Sequence, residues 1–401
     1  MALETGVVRP GTTSSGDPVR VMVVDDSAVV RGLITRMLEE DPGFTVVASV
    51  GNGQMAVSAL ERHNVEVVVL DIEMPVMDGL TALPLMLKVD PDLQVIMAST
   101  LTLKNADISL RALQAGAADY IPKPTSSREL SGGQDFKQEL VEKVRALAAA
   151  RRRLPRRAMS SSPTSSFRPS SSISTAGTPA AGPHTLPTPP RPSSLYAQAT
   201  VTLRQAGTEA PDVIAIGSST GGPQALFSVL GALKAGTIRQ PILITQHMPA
   251  TFTTILAEHI SRVSGWEAAE GKDGEVIRPN RIYIAPGDFH MIVETKGTDK
   301  IIRLNKNPPE NFCRPAVDPM LRSISAAYGR RVLAVILTGM GSDGAKGGQV
   351  VVTNGGTVIA QDEATSVVWG MPGAAATSGI CAAVLPLPEI PQYILRQATR
   401  R

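Results

Sequence analysis

Residues 21–27 read VMVVDDS, a run of four apolar residues that ends in two aspartates and a serine. Similar short apolar runs follow at Phe44 to Ala48, Val65 to Leu70, Val95 to Ala98 and Asp119 to Ile121, with helix-like stretches between them. Five short strands that alternate with helices within about 110 residues predict a compact, doubly wound parallel sheet. Such sheets bind ligands at the carboxyl ends of their strands, so a site is expected at that edge.

Acidic residues stand at this predicted edge. Asp25 and Asp26 end the first strand, and Asp71 ends the third. Three carboxylates converge only if a hard cation offsets their repulsion, and Mg²⁺ with oxygen ligands is the natural choice. A carboxylate beside Mg²⁺ can attack a phosphoryl group in line to form an aspartyl phosphate. Ser99, at the end of the fourth strand, and Lys123, after the fifth, are placed to face that phosphate.

A second block with the same alternation begins near residue 209. Its predicted strands are Asp212 to Ile216, Ile242 to Thr245, Arg281 to Ala285, Met291 to Val293, Ile301 to Leu304, Val332 to Leu337 and Thr357 to Ala360. Its predicted helices are Pro223 to Leu233, Thr251 to Arg262, Pro319 to Tyr328 and Gly344 to Thr353. The fold class expected for the whole chain is therefore α/β, with a flavodoxin-like and a Rossmann-like parallel-sheet domain.

The two blocks are separated by a segment of unusual composition. Between Arg151 and Ser194 the chain carries seven Lys or Arg and no acid, together with nine Pro and eleven Ser. Almost nothing in this segment can fill a core, so we expect a disordered linker. The predicted organisation is a first domain over residues 19–135, a helical extension and linker over 136–208, and a second domain over 209–398.

Composition excludes several classes of protein. The formal net charge of +3 and the 3% aromatic content argue against a nucleic-acid surface. Cys313 and Cys381 lie far apart, so neither a disulfide scaffold nor a CxxC metal site is expected. No signal pattern and no run of about 18 apolar residues is present, which predicts a cytoplasmic protein without direct membrane insertion.

A glycine-rich turn, Gly217-Ser218-Ser219-Thr220-Gly221-Gly222, follows the strand DVIAI. It can be interpreted as a phosphate-cradling loop or as a sharp strand-to-helix turn that exposes a serine, since Gly217, Ser219 and Gly221 satisfy G-x-S-x-G. A complete GxGxxG and a following lysine are both missing, so nucleotide binding is the weaker interpretation.

A nucleophilic serine needs a base. His247 ends the strand ILITQ, in the same position relative to its sheet as Ser219, and is therefore the best candidate among the five histidines. The acid that orients it should also follow a strand: Asp343 in ILTGMGSDG does so, and Asp362 in VIAQDEATS is its rival. The resulting order Ser, His, Asp differs from the Ser, Asp, His order of α/β-hydrolases.

The first block resembles a response-regulator receiver domain over roughly residues 20–130. The motifs VMVVDDS, VVVLDIEMPVMDG, IMASTLT and DYIPKP carry this resemblance. It implies that Asp71 is the phosphoacceptor, with Asp25, Asp26 and the backbone of Glu73 completing the Mg²⁺ site around it. It further implies that Ser99 is the switch hydroxyl, with Thr100 a less favoured alternative, that Tyr120 is the switch aromatic residue and that Lys123 is the phosphate partner.

The second block resembles the catalytic domain of the chemotaxis protein-glutamate methylesterases, the CheB family, over about residues 211–387. The turn GSSTGG and the motifs QHMP, YIAPG, RPAVD, LTGMGSDGA and IAQDEATSVVWGMP carry this resemblance. It implies that Ser219 is the nucleophile, His247 the general base and Asp343 its orienting acid, and that the Met340 N–H contributes to the oxyanion hole. The family's usual GASTGG stands here as GSSTGG, with a second hydroxyl at Ser218.

Together the resemblances imply a phosphorylation-activated serine hydrolase that demethylates glutamate methyl esters on methyl-accepting chemotaxis receptors. Receptor glutamines are a second expected substrate. The implied partners are these receptors and a chemotaxis histidine kinase, and ester hydrolysis is expected to need no cofactor. Two other classes compete: an inactive module that only binds receptors, which the complete Ser, His and Asp set argues against, and a DNA-binding regulator, which the scattered Lys and Arg of the second block argue against.

Overall fold

The computed structural model describes residues 17–100, 102–123, 134–153 and 201–400. It confirms the α/β fold class, with one parallel sheet in each of two domains. The predicted disordered linker falls mainly on residues 154–200, which lie outside the described residues. In the described part of the chain, no helix is both long and apolar enough to cross a membrane.

The N-terminal domain contains a five-stranded sheet in the order β2-β1-β3-β4-β5. Every neighbouring pair of these strands is parallel. The strands are β1 (Val19–Val24), β2 (Phe44–Val50), β3 (Val67–Asp71), β4 (Gln94–Ser99) and β5 (Asp119–Pro122), and the helices between them are α1 (Ala28–Glu39), α2 (Gly53–Leu60), α3 (Gly79–Val89) and α4 (Leu103–Gln114). The central strand β3 is buried along its whole length, as its apolar sequence predicts.

Short polar side chains start these helices. Ser27, Asn52, Asp78 and Thr102 each accept a hydrogen bond from a backbone N–H of the first turn of α1, α2, α3 and α4, respectively. Pro84 lies inside α3, and the helix continues past it to Val89.

A further helix, α5 (Gln134–Arg153), closes the N-terminal domain. The sequence predicts a helix from Phe136 to Arg153. Leu140, Val144, Leu147 and Ala148 are buried against the core of the N-terminal sheet.

The C-terminal domain contains a seven-stranded sheet in the order β14-β13-β12-β6-β7-β9-β8, in which every neighbouring pair is parallel. Its strands are β6 (Val213–Ser218), β7 (Ile242–Gln246), β8 (Glu267–Glu270), β9 (Arg281–Ile284), β12 (Val332–Ile336), β13 (Thr357–Gln361) and β14 (Ala383–Leu385), and a separate antiparallel hairpin is formed by β10 (His290–Lys296) and β11 (Asp299–Asn305). Its α-helices are α6 (Gly222–Ala232), α7 (Ala250–Ser264), α8 (Val317–Tyr328), α9 (Ala345–Thr353), α10 (Met371–Thr377) and α11 (Ile390–Ala398).

Four of these elements were not predicted: β8, β14, α10 and α11. They are short or lie at the edges of the sheet, and the apolar patterns of β8 and β14 are weak. By contrast, the central strands β6 and β12 are buried along their whole length, so they were recognisable from their apolar runs.

The two domains contact each other through α4 and β5 of the first and α6 and α7 of the second. Tyr120 stacks on Phe252 with ring centroids 4.4 Å apart. Gln224, in α6, donates a hydrogen bond to the carbonyl oxygen of Ala117. Two polar contacts flank it: a hydrogen bond between His259 and Asp107 at 2.9 Å, and an ion pair between Arg153 and Glu363 at 3.0 Å.

Candidate functional sites

The acidic cluster predicted in the N-terminal domain is present. Asp25, Asp26 and Asp71 each offer a carboxylate oxygen, and these oxygens lie within 4.8 Å of one another. Asp25 and Asp71 are buried, whereas Asp26 is exposed to solvent. Three oxygen donors at one sheet edge fit a hard divalent cation such as Mg²⁺.

Lys123 lies between two of these carboxylates. Its Nζ is 2.6 Å from Asp25 Oδ2 and 2.6 Å from Asp71 Oδ1. Burial raises the pKa of Asp71, and the charge of Asp25 adds to that rise, whereas Lys123 opposes it. The ammonium group therefore offsets part of the charge that gathers at this edge.

The other residues predicted around the phosphoacceptor lie in different surroundings. Ser99 is buried at the end of β4 and accepts a hydrogen bond from Ser109 Oγ at 3.1 Å, and its carbonyl oxygen accepts one from Lys123 N at 2.7 Å. Thr100 is exposed and bonds to Asn105 at 2.7 Å. The Glu73 carboxylate points to Lys104 at 2.8 Å, so only its backbone remains as the predicted Mg²⁺ ligand.

Tyr120 is buried at the domain boundary rather than exposed on the N-terminal surface. Its ring stacks on Phe252, and Lys143 Nζ lies 5.0 Å from the ring centroid. Burial raises the pKa of the Tyr120 hydroxyl well above its ordinary value, with a smaller contribution from Asp119.

The two serines of the GSSTGG turn have different environments. Ser218 ends β6, is completely buried and donates a hydrogen bond to Gln246 Oε1 at 2.7 Å. Ser219 is the first residue beyond the strand and is partly exposed. The sharp turn after it uses Gly221 at φ 73°, a left-handed conformation that glycine adopts readily. Ser219 is therefore the hydroxyl that a substrate can reach.

His247 stands next to Ser219 at the same edge of the sheet. The parallel register of β6 and β7 ends with Ser218 opposite Gln246. The residues that directly follow these two strand ends are Ser219 and His247. Asp343 follows β12, the neighbour of β6 on its other side, and its Oδ2 lies 2.8 Å from His247 Nε2. Strands β12, β6 and β7 thus bring the three predicted residues to one edge.

A dense set of donors holds the Asp343 carboxylate. Its Oδ2 also accepts a hydrogen bond from Val317 N at 2.6 Å. Its Oδ1 accepts hydrogen bonds from Asp318 N, Asn311 Nδ2 and its neighbour Gly344 N, at 3.0, 2.9 and 2.9 Å. Burial alone would raise the pKa of Asp343, but these donors and His247 lower it below its ordinary value. The group is therefore a carboxylate.

The other nitrogen of His247 contacts a residue that the sequence did not single out. Cys313 Sγ lies 3.3 Å from His247 Nδ1. In the part of the chain that the structure describes, no hydrogen bond joins Ser219 Oγ to His247. Burial alone would lower the pKa of His247, but the bonds to Asp343 and Cys313 outweigh it and raise the pKa. A signal was available, because Cys313 directly precedes the RPAVD motif.

Asn311 and Asp318 were also missed. Asn311 Nδ2 donates to Asp318 Oδ2 at 3.1 Å as well as to Asp343. Asp318 is buried, and its Oδ1 accepts hydrogen bonds from the backbone N–H groups of Gly344 and Gly347, at 3.0 and 2.6 Å. It therefore fixes the start of α9, next to Asp343.

Two further predictions concern the loops around Ser219. Gly339, which directly precedes Met340, lies so close to Ser219 that a Cβ on it would be 2.9 Å from Ser219 Cβ. Among the described residues the Met340 N–H has no acceptor. Asp362, the rival orienting acid, instead accepts hydrogen bonds from Thr365 N and Oγ1, at 2.9 and 2.5 Å, and so stabilises its own loop.

Comparisons with known proteins identify the two domains that carry these sites. A family model described as CheB methylesterase matches residues 214–394, and one described as response regulator receiver domain matches residues 21–132. A protein-glutamate methylesterase/protein-glutamine glutaminase of Paramagnetospirillum magneticum is 70% identical over 386 residues, which cover 96% of this chain and 97% of that protein.

The chain belongs to the CheB methylesterase family.

Other relatives extend this comparison. The Rhodospirillum rubrum protein that carries the same name is 63% identical over 387 residues, covering 96% of this chain and 97% of its own. The solved Thermotoga maritima CheB methylesterase catalytic domain is 40% identical and covers 47% of this chain and 98% of its own, with a TM-score of 0.45. In CheB terms, the N-terminal unit is the receiver domain and the C-terminal unit the catalytic domain.

Proposed function

We propose that this CheB protein is a phosphorylation-activated serine hydrolase that demethylates glutamate methyl esters on methyl-accepting chemotaxis receptors and deamidates receptor glutamines. It would thereby mediate adaptation in chemotaxis. One observation carries the proposal: Ser219 and His247 follow paired strands, and His247 Nε2 lies 2.8 Å from Asp343. The names of the close relatives support the choice of substrate.

The reaction is acyl transfer in two steps. Ser219 Oγ attacks the ester carbonyl carbon while His247 takes the hydroxyl proton, and the Met340 N–H stabilises the negative oxygen that forms. The C–O bond to the methoxy group then breaks, and His247 returns the proton so that methanol leaves. Asp343 orients the imidazole and stabilises its positive charge.

Water completes the cycle. His247 removes a proton from a water molecule that attacks the acyl-serine, and the bond to Ser219 Oγ breaks to release the free glutamate and the serine hydroxyl. A glutamine side chain follows the same path with ammonia as the leaving group. These steps need only the side chains, the backbone donor and water.

The proposed control lies in the receiver domain. A chemotaxis histidine kinase would transfer a phosphoryl group to Asp71, at a site where Asp25, Asp26, Asp71 and the backbone of Glu73 hold Mg²⁺. When bound, this ion offsets the charge of the carboxylates and of the incoming phosphoryl oxygens. Lys123 would pair with the phosphoryl group, and Ser99 and Tyr120 would respond to it as switch residues.

The domain contact offers a path for this control. Val367 packs against the receiver core and also touches Gly221, in the turn that follows Ser219. Phosphorylation that weakens this contact would open the edge that carries Ser219 to the receptor. We place the protein in the cytoplasm, where it would meet the helical cytoplasmic segments of the receptors.

Methanol release from methylated receptor membranes tests the proposal. Ser219→Ala should abolish release, whereas the matched variant Ser218→Ala should retain it, because Ser218 is buried and bonded to Gln246. A small-molecule phosphodonor should stimulate the wild type but not Asp71→Asn. If the folded, phosphorylated wild type releases no methanol from any receptor, the protein is a binding module and the proposal is wrong.

A further inference from the structure

One aromatic side chain near the His247–Asp343 pair projects fully into solvent. Phe312 is 98% exposed. Among the described residues from 201 to 400, the large apolar side chain with the next highest exposed fraction is Leu203, at 53%. Such exposure of a ring has no folding benefit, because burial of its apolar surface is what stabilises a fold.

The backbone at Phe312 adopts a conformation that a bulky residue rarely takes. Asn311 has φ 52° and Phe312 has φ 63°, both in the left-handed region. The flanking residues Glu310 and Cys313 exchange backbone hydrogen bonds of 2.9 and 3.2 Å, so the segment is a two-residue hairpin of the type that usually carries Asn-Gly. Phenylalanine at the glycine position is strained, and such strain is often found at functional sites.

The hairpin is held in place on both sides of Phe312. Asn311 Nδ2 bonds to Asp343 at 2.9 Å, and Cys313 Sγ contacts His247 Nδ1 at 3.3 Å. Arg322 holds Glu310 with two bonds of 3.0 and 2.5 Å. The two neighbours of Phe312 therefore reach inward to the site, while Phe312 alone turns outward at its rim.

We infer that Phe312 is a receptor-docking residue whose ring inserts into an apolar patch of the receptor segment beside the esterified glutamate. The partner is a helical receptor segment, because the neighbours of Phe312 contact Asp343 and His247, whose proposed substrate is a glutamyl ester on such a segment. A surface helix carries apolar side chains beside its polar ones, and a rigid aromatic side chain binds such a patch at a small entropic cost. The inference rests on the proposed function and adds the residue that recognises the substrate.

The test compares Phe312→Ala with wild type in methanol release from methylated receptor membranes, with the phosphodonor present. We expect KM to rise about tenfold with kcat within about twofold, the effect of losing an aromatic anchor. Phe312→Tyr should restore most of the affinity. Leu395→Ala, which removes an exposed apolar side chain from α11, is the matched control and should leave KM unchanged.

Phe312→Gly separates docking from folding. Glycine accepts the left-handed backbone, so its thermal unfolding midpoint should equal or exceed that of the wild type, while its KM should rise as in Phe312→Ala. A wild-type KM in either variant, or a fall in kcat with KM unchanged, would overturn the inference and leave the proposed function intact.

A binding measurement keeps the two proposals distinguishable. The Ser219→Ala chain, which is expected to bind without turnover, is immobilised and its affinity for methylated receptor in nanodiscs is compared with that of the Ser219→Ala/Phe312→Ala chain. Weaker binding of the double variant supports the docking role even if the wild type releases no methanol. Equal binding contradicts the docking role whatever the esterase activity.

Discussion

Tyr120 of the receiver domain stacks on Phe252 of the catalytic domain, with 14° between the ring planes. Tyr120 lies in β5, three residues before Lys123, whose ammonium group contacts Asp71. Phe252 lies in the first turn of α7, which begins three residues after His247. This aromatic contact therefore joins β5, the strand that leads to Lys123, to the helix that follows the base candidate His247.

Weakening this domain contact should activate the unphosphorylated enzyme. His259 is completely buried and its Nε2 contacts Asp107 at 2.9 Å, so Asp107→Ala leaves a buried polar group without its partner. The expected loss of about 1–2 kcal/mol of docking free energy raises the undocked population roughly five- to thirtyfold. Basal methanol release should rise accordingly, and phosphodonor stimulation should shrink.

The control for this prediction is Glu61→Ala, which removes an exposed carboxylate at the end of α2. It should leave basal activity and stimulation as in the wild type. Basal activity of Asp107→Ala equal to that of the control would show that the His259 contact does not restrain the enzyme.

Cys313 should set the pH dependence of the reaction. The contact of its Sγ with His247 Nδ1 helps to raise the pKa of the imidazole, and a general base acts only when it is neutral. Activity should therefore increase with pH. Cys313→Ala removes one cause of the raised pKa, so the rising limb of the kcat/KM profile should shift to lower pH, with higher activity near neutrality.

Thiol alkylation gives an independent measurement of the same contact. Iodoacetamide should inhibit the wild type and have no effect on Cys313→Ala. Burial raises the pKa of the Cys381 thiol to about 12, so that cysteine should remain unmodified and Cys381→Ala should be inhibited like the wild type. An unshifted pH profile in Cys313→Ala would rule out a role for the thiol at His247.

Asn311 should position Asp343 for catalysis. Its amide nitrogen bridges the carboxylates of Asp318 and Asp343, so Asn311→Ala should lower kcat about tenfold through loss of a charged hydrogen bond. Asn311→Gly preserves the left-handed backbone but lacks the amide. Equal loss of kcat in both variants assigns the effect to the amide, whereas near-normal kcat in Asn311→Gly would assign it to the backbone.

Lys123 should stabilise the receiver domain in the absence of metal. Lys123→Ala leaves the buried carboxylates of Asp25 and Asp71 uncompensated, at a cost of about 3–5 kcal/mol in the free energy of unfolding. Because the folded state raises the pKa of Asp71, its ionised form destabilises the fold, and acidification should recover part of the loss.

Thermal unfolding measured at pH 7 and pH 5, with and without Mg²⁺, checks this prediction. The Lys123→Ala midpoint should fall more at pH 7 than at pH 5, and Mg²⁺ should raise it. Lys88→Ala, at the end of α3 and away from the acidic cluster, is the control. A midpoint that Mg²⁺ does not raise would argue against cation binding by the three aspartates.

Much of the architecture was predictable because each central strand is recognisable in the sequence as a short run of apolar residues. The placement of Asp25, Asp71, Ser219 and His247 follows from the rule that parallel strands end at one edge, which needs no knowledge of loop conformation. The identity of the orienting acid was open between Asp343 and Asp362. Only the three-dimensional path of the loops after β12 and β13 distinguishes them.

The features that escaped prediction depend on loop conformation. Asn311 and Cys313 reach the site because Phe312 turns outward between them, a geometry that the sequence Asn-Phe does not predict, since that turn usually needs glycine. The Tyr120–Phe252 stack joins two domains and has no local sequence signal at all.

The alternation of inward and outward side chains in the 310–313 hairpin has a consequence for the history of the family. Asn311 and Cys313 contact the Asp343 and His247 side chains, whereas the side chain of Phe312 is 98% exposed and makes no such contact with the residues that the structure describes. A lineage can therefore exchange residue 312 to suit a new set of receptors while the hydrolytic apparatus stays constant. Residue 312 and its neighbours Asn311 and Cys313 can therefore change at different rates, although they are consecutive in one turn.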